Sequence, residues 1–305
     1  MIVYTKSKTM RKELEQRVDE GIIFTDDIKK AEIAISGRLA DEDLHADLKA
    51  MVIPYVGYNQ VNQSLLAKKG IKLYNTQVNG VFVAERALGL CLSLMGKIAY
   101  DFSQLKEGKW STYQSPSEWI SIRGKKVGLL GYGVIGKAIH DMLRPFACEV
   151  YTIDRKKDYR DALLVDDLEG LVKEVDVLFV QVPLTSETKH MIDASMLSKM
   201  EGMYVINVAR GDIIEEKALY EALKKGVLKG FASDVWYQYP KKRTEERMPS
   251  AYPVLDFDCV VATSHSSGNV EGIDALTYED LAKRLNRFAR GDYEGAIPDR
   301  KEEEE

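Results

Sequence analysis

Gly131, Gly133 and Gly136 stand in a GxGxxG pattern directly after the apolar run Val127 to Leu130, and Asp154 follows eighteen residues beyond the last glycine. That order suits a dinucleotide. The first glycine lets a strand turn sharply, the second lets backbone approach a pyrophosphate, and the third lets the next helix pack close to the sheet. Val134 and Ile135 would open that helix, and Asp154, at the end of the run Cys148 to Ile153, would accept hydrogen bonds from ribose hydroxyls. Arg210, Asp234 and His265 each stand just past a later apolar run. A planar guanidinium at Arg210 could grip a carboxylate through two hydrogen bonds, and an imidazole at His265 could exchange a proton near neutral pH. Each has a plainer reading: a strand-end acid in water for Asp154, a surface ion pair for Arg210, a satisfied structural histidine for His265. Paired with a nicotinamide cofactor, the set would serve hydride transfer, for which the protein supplies a proton donor and a group that orients an oxyanion. His45 and His140 fall in helical patterns suited to surface or packing roles, and His190 falls in a loop.

The elements that must position these residues alternate strand and helix. After the glycines, apolar residues recur at helical spacing as far as Leu143, and Pro145 stops the helix. Strands are expected over Val127 to Leu130, Cys148 to Ile153, Val177 to Val182 and Tyr204 to Val208, and at the segment ending in Asp234. Helices are expected around Asp167 to Glu174, Glu215 to Lys224 and Val270 to Arg290. This is an α/β fold with a doubly wound parallel sheet, whose ligands sit at the carboxyl ends of the strands. Residues 1 to 77 form a second α/β unit, with strands at Ile2 to Tyr4, Ile22 to Phe24, Ile33 to Ser36, Met51 to Tyr55 and Ile71 to Tyr74. After the fourth of these comes VGYNQVN, where a turn at Gly57 would expose backbone N–H groups to a small anion or would simply connect strand to helix. From Val83 to Lys106 runs one long helical pattern, apolar on most sides through Ala84 to Phe102, which must be buried between domains or subunits. Trp110 and Trp119 flank a polar loop that suggests an arm packed on a partner, and the KEEEE terminus reads as a solvated tail.

With 305 residues, 45% hydrophobic and 30% charged, the chain suits two globular domains. A net charge of −5 gives no reason to expect nucleic acid. The opening MIVYTKSKT has no signal-peptide pattern and no apolar run is long enough to span a bilayer, so a cytoplasmic protein without membrane contact is expected. Cys91, Cys148 and Cys259 are odd in number and far apart, which argues for reduced thiols and against a zinc site or other metal.

Taken in order, VGYNQVN, VAERALGLCLSLM, GKKVGLLGYGVIGKA, VPLTSETKHMID, INVARGDIIEEKAL, GFASDVW and the His265 loop resemble the D-isomer-specific 2-hydroxyacid dehydrogenase family over nearly the whole chain. The resemblance implies two Rossmann-like domains meeting at a cleft. The substrate domain would be discontinuous, residues 1–78 and 268–305, and the dinucleotide-binding domain 79–267. It implies NAD as cofactor, with NADP left open by Arg155, Lys156 and Lys157 beside Asp154. Val182, Pro183, Thr188 and Val208 join the cofactor candidates, and Asp234 would meet the nicotinamide carboxamide. Backbone N–H groups of Val56 and Gly57 would hold the substrate carboxylate, Arg210 would grip carboxylate and carbonyl, and His265 would exchange the proton. A homodimer through the Ala84 to Phe102 helix is implied. The implied reaction is reversible hydride transfer between NAD(H) and a small 2-oxo or D-2-hydroxy acid. Alternatives are oxidation of another small anion such as formate, and a dinucleotide-sensing protein on the same scaffold. One departure stands out. The family's glutamate, five residues after the aspartate and beside a proline, is Tyr239 here, with Glu245 or Glu246 as conceivable substitutes; Ser264 stands where a proline usually precedes the histidine.

Overall fold

The computed structural model describes residues 1–58, 60–110, 118–155, 159–242 and 244–297. Asn59 of VGYNQVN, most of the Trp110 to Trp119 loop, Lys156, Lys157 and the KEEEE tail lie outside the described residues. The chain divides into two compact units, Met1–Asn79 with Asn269–Glu305, and Gly80–Gly268. Among the described residues the units hold sheets of five and seven strands, and every pairing is parallel.

The first unit contains β1 (Ile2–Tyr4), β2 (Ile23–Thr25), β3 (Ile33–Ile35), β4 (Ala50–Ile53) and β5 (Lys72–Asn75), in the spatial order β2-β1-β3-β4-β5. Alternation along each strand divides its side chains between two cores. Val3, Ile33, Ile35 and Val52 meet Leu281, Leu285 and Phe288 of the helix Ile273–Ala289 on one face. Tyr4, Ala34, Met51 and Ile53 pack with Leu48 and Leu66 on the other. Each large apolar side chain so buried contributes about 1.5–3 kcal/mol. Because both faces are covered, the strands read as nearly continuous apolar runs.

The second unit contains β6 (Lys126–Leu130), β7 (Glu149–Ile153), β8 (Leu163–Val165), β9 (Val177–Val180), β10 (Tyr204–Asn207), β11 (Gly230–Ser233) and β12 (Val260–Ala262). Their order is β12-β11-β10-β9-β6-β7-β8. The chain starts in the middle at β6, runs outward to β8, and returns to the other side of β6 at β9. Strand order therefore reverses between β6 and β9, which opens a crevice at their carboxyl ends. β8 is a strand the sequence reading missed, because its half-exposed edge position gives no buried pattern.

The long helix expected from Val83 to Lys106 is two helices, Gly80–Met95 and Ile98–Lys106. The break is local: Gly96 and then Lys97, at φ 54°, end the first helix. Only the first is buried, through Ala84, Ala87, Leu90, Cys91, Leu94 and Met95. The second leaves Ile98 61%, Phe102 64% and Leu105 52% exposed.

Candidate active site

Gly131 leaves β6 at φ +107°, a conformation that excludes most side chains. A Cβ at Gly136 would collide with the Gly131 carbonyl oxygen, so the third glycine lets the helix Val134–Leu143 turn back onto the strand it follows. At Gly133 a Cβ would meet nothing. That residue caps the helix without a side-chain hydrogen bond, which leaves the first N–H groups, around Val134 and Ile135, open to an anion. Gln181, beyond β9, donates its amide to the Gly131 carbonyl at 2.6 Å, while its own Oε1 is buried with no partner. The open, glycine-lined helix start offers N–H donors to a phosphate, and the unfilled Gln181 acceptor beside it offers a place for a donor group of the same ligand. Asp154 directly follows β7, its N–H bonded to the Val165 carbonyl. Val182 and Pro183 follow β9, with the Val182 side chain against Gly131. Thr188 closes the loop after Pro183, its hydroxyl donating to the Pro183 carbonyl at 2.6 Å and accepting from the Thr185 N–H at 2.8 Å. Val208 directly follows β10 and is buried.

Next to it, Asn207 organises the Arg210 turn. Its amide donates to the Arg210 carbonyl and its oxygen accepts from the Ala209 N–H, both at 3.0 Å. Gly211 lies so close to the segment after β11 that a Cβ would stand 2.5 Å from the Trp236 carbonyl oxygen. The glycine beside Arg210 thus brings two strand ends together. The guanidinium is half-buried and donates to the Ala209 carbonyl at 2.6 Å. Burial lowers its pKa from the usual value, yet a guanidinium stays cationic at any physiological pH.

Asp234 is almost completely buried. One carboxylate oxygen accepts from the Thr263 hydroxyl at 2.6 Å and the Ser266 N–H at 2.9 Å; the other accepts from the Ser267 N–H at 2.9 Å and the Ser267 hydroxyl. Burial raises its pKa, but the hydrogen bonds from Ser267, Thr263 and Ser266 outweigh that and hold the carboxyl below its usual range. With two donors on each oxygen, its observed work is to clamp the loop that carries His265. His265 itself adopts φ 54°, which turns the chain so that the next two N–H groups reach Asp234. Trp236 braces the same loop through its indole N–H to the Thr263 carbonyl at 2.8 Å.

Tyr239 stands against the histidine, ring centroids 5.3 Å apart and planes inclined by 59°. Its hydroxyl accepts the Trp236 N–H at 3.1 Å. Loss of water around His265 lowers its pKa, the Arg210 charge lowers it further, and Asp234 offsets this in part. No role falls to Glu245, whose carboxylate accepts from the Lys241 N–H at 2.8 Å and pairs with Arg247. Glu246 is an exposed residue of the same loop and is not among the charges acting on His265.

Arg210, Tyr239 and His265 therefore gather at the carboxyl ends of β10, β11 and β12, in the unit that holds the glycine turn. Val56 and Gly57 belong to the other unit, after β4, with the Val56 carbonyl held by the Asn75 amide at 2.6 Å. The sequence reading passed over Asn207, Gln181, Thr263 and Ser267, whose types are common in loops and carry no spacing signal. His140 is a packing residue, buried against Tyr132 and Asp161.

Residues 88–267 match the family model of the D-isomer specific 2-hydroxyacid dehydrogenase NAD binding domain. The chain belongs to that family. The dehydrogenase is accordingly an oxidoreductase that works with NAD. It is 32% identical to a glyoxylate reductase of Thermofilum pendens, over 84% of this chain and 76% of that one. To a D-3-phosphoglycerate dehydrogenase of Methanocaldococcus jannaschii it is 30% identical over 78% of its length, and the match spans about half (45%) of that longer relative. In three dimensions it resembles the PH0520 protein of Pyrococcus horikoshii, with a TM-score of 0.81, 27% identity, and coverage of 97% of this chain and 94% of that one. Among the described residues no helix is long and apolar enough to cross a membrane, and no cluster of potential ligands would hold a metal ion.

Proposed function

We propose that the dehydrogenase reduces a small 2-oxo acid such as glyoxylate, hydroxypyruvate or pyruvate, reversibly, with NADH preferred over NADPH. The observation that carries this reading is the grouping of Arg210 and His265 at the carboxyl ends of β10 and β12, on either side of β11, with the Arg210 charge acting on the histidine. Bound between the glycine turn and Asp154, with Val182, Pro183, Thr188, Val208 and Asp234 along its length, the cofactor supplies or accepts the hydride. The rest is done by side chains. Arg210 orients the acid by pairing with its carboxylate and carbonyl oxygens, and its burial strengthens that grip by excluding water. His265 as imidazolium delivers a proton to the carbonyl oxygen in reduction, and as imidazole takes it back in oxidation. Tyr239 occupies the flank of the ring that the family's glutamate would fill. The backbone of Val56 and Gly57 is proposed as a further contact for the substrate carboxylate.

Asp154 supports the NADH preference, since a carboxylate there would repel a 2′-phosphate and accept from free ribose hydroxyls. The free cysteines support a reducing, cytoplasmic setting. A homodimer is proposed through the segment Ala84 to Phe102, on the strength of the exposed Ile98 and Phe102. A spectrophotometric panel of 2-oxo acids with NADH and NADPH, and of formate with NAD, tests the reading. Turnover of a 2-oxo acid with higher kcat/KM for NADH is expected. Tight NADH binding without turnover of any acid would favour a sensor, and formate oxidation alone would replace the substrate.

A further inference from the structure

The hydroxyl of Tyr239 has a property that contact with His265 does not explain. Its oxygen already accepts the Trp236 N–H at 3.1 Å, so its own hydrogen points away from that backbone. Among the described residues the hydroxyl donates no hydrogen bond. The residue is 41% exposed, its ring touches His265, and the Arg210 charge acts on its hydroxyl. The bond received from Trp236 polarises the O–H and makes it a better donor. Burial raises the phenol's pKa, so the proton is present throughout the range in which His265 titrates.

We infer that Tyr239 donates a hydrogen bond to the C2 oxygen of the substrate, making it a catalytic residue as well as a neighbour of the histidine. This rests on the reduction of a 2-oxo acid proposed above. When C2 gains hydride, the π pair of the C=O bond moves to oxygen. His265 passes its proton to that oxygen and becomes neutral imidazole, while Tyr239 keeps its own proton and stabilises the oxygen as charge develops. A carboxylate at this position could do the opposite only: it accepts, raises the basicity of the histidine, and offers nothing to the oxyanion. The substitution thus exchanges support of the histidine for direct support of the transition state. It also accounts for a site in which Arg210, Tyr239 and His265 are all donors. Such a site suits a substrate that presents adjacent acceptor oxygens.

The test is Tyr239→Phe in the full chain. The variant keeps the ring against His265 and removes only the hydroxyl. On the best 2-oxo acid, kcat is expected to fall on the order of tenfold to a hundredfold at every pH, with the position of the descending limb unchanged. The dissociation constant for NADH should stay at the wild-type value, which also reports an intact fold. A kcat within twofold of wild type would overturn the inference and leave the parent reading standing. Absence of 2-oxo acid turnover in the wild type, by contrast, would sink the parent reading itself. If Tyr239→Phe fails to fold for want of an acceptor for Trp236, 3-fluorotyrosine at the same position keeps the acceptor and strengthens the donor. A raised kcat is then expected, and an unchanged one overturns the inference.

Discussion

In the proposed reaction, His265 is the residue on which the pH behaviour turns. Partial burial and the Arg210 charge push its pKa below the ordinary histidine value, with Asp234 offsetting only part. Reduction needs the imidazolium, which exists below that pKa, so activity toward 2-oxo acids should decline as pH rises through a range lower than that of an unperturbed histidine. Tyr239→Glu places a negative charge beside the ring, and an opposite charge at contact typically raises a pKa by about 1 to 3 units. The descending limb of kcat/KM should therefore move upward in that variant, whatever its height; a limb at the wild-type pH would show that the new acid does not act on His265. Arg210→Lys keeps the charge but loses the fork. Charged hydrogen bonds contribute about 1.5–3 kcal/mol, so kcat/KM should drop on the order of tenfold or more, and wild-type turnover would remove Arg210 from the site.

At the scale of elements, the site depends on strand ends tied to one another. Asp234 clamps the Thr263 to Ser267 loop through four hydrogen bonds. Asp234→Asn replaces one acceptor oxygen with a donor and strands buried donors. A loss of about 1–3 kcal/mol in urea unfolding at neutral pH is expected, together with reduced turnover. The sign with pH follows from the depressed carboxyl. Its contribution to wild-type stability is complete above the unfolded pKa and is lost as pH falls through the folded one. The gap between mutant and wild type should accordingly narrow in acid; a gap that stays constant would mean that the carboxylate charge is not what the clamp uses. The glycine turn makes a second such junction. In Gly136→Ala the added methyl meets backbone at Gly131, which cannot move aside as a flexible side chain could. Overpacking of about 1–3 kcal/mol, carried into the bound state, translates to an NADH affinity roughly 5- to 150-fold weaker by fluorescence titration, and an unaltered affinity would separate this turn from cofactor binding.

For the whole molecule, the helix break at Gly96 and Lys97 decides what the surface offers. One continuous helix would have buried a single stripe, but two helices leave Ile98, Phe102 and Leu105 outside the core of the chain. Exposed apolar residues grouped in this way mark association surfaces. Phe102→Asp should convert the proposed homodimer to monomer in sedimentation velocity while each unit keeps its fold. An unchanged sedimentation coefficient would place the interface elsewhere or show that the wild type is already monomeric.

The glycine spacing, the apolar strand runs and the residues placed just past them were legible in the sequence because they follow from local rules: a tight turn needs glycine, and a strand covered on both faces needs continuous apolar residues. The α/β class, the NAD binding unit and the candidacy of Arg210, Asp234 and His265 came from these. Periodicity could not locate the helix break. Lys97 gives no warning of a positive φ, and an apolar pattern continues across it. Nor could spacing reveal what Asp234 does, since four donors brought to one carboxylate from residues about thirty positions away exist only once β11 and β12 pair. The same holds for Tyr239. The family resemblance marked it as a departure, but its contact with the His265 ring and the bond it accepts from Trp236 arise from the fold of two loops at neighbouring strand ends. Local chemistry named the parts, and only the parallel pairing of distant strands decided which of them touch.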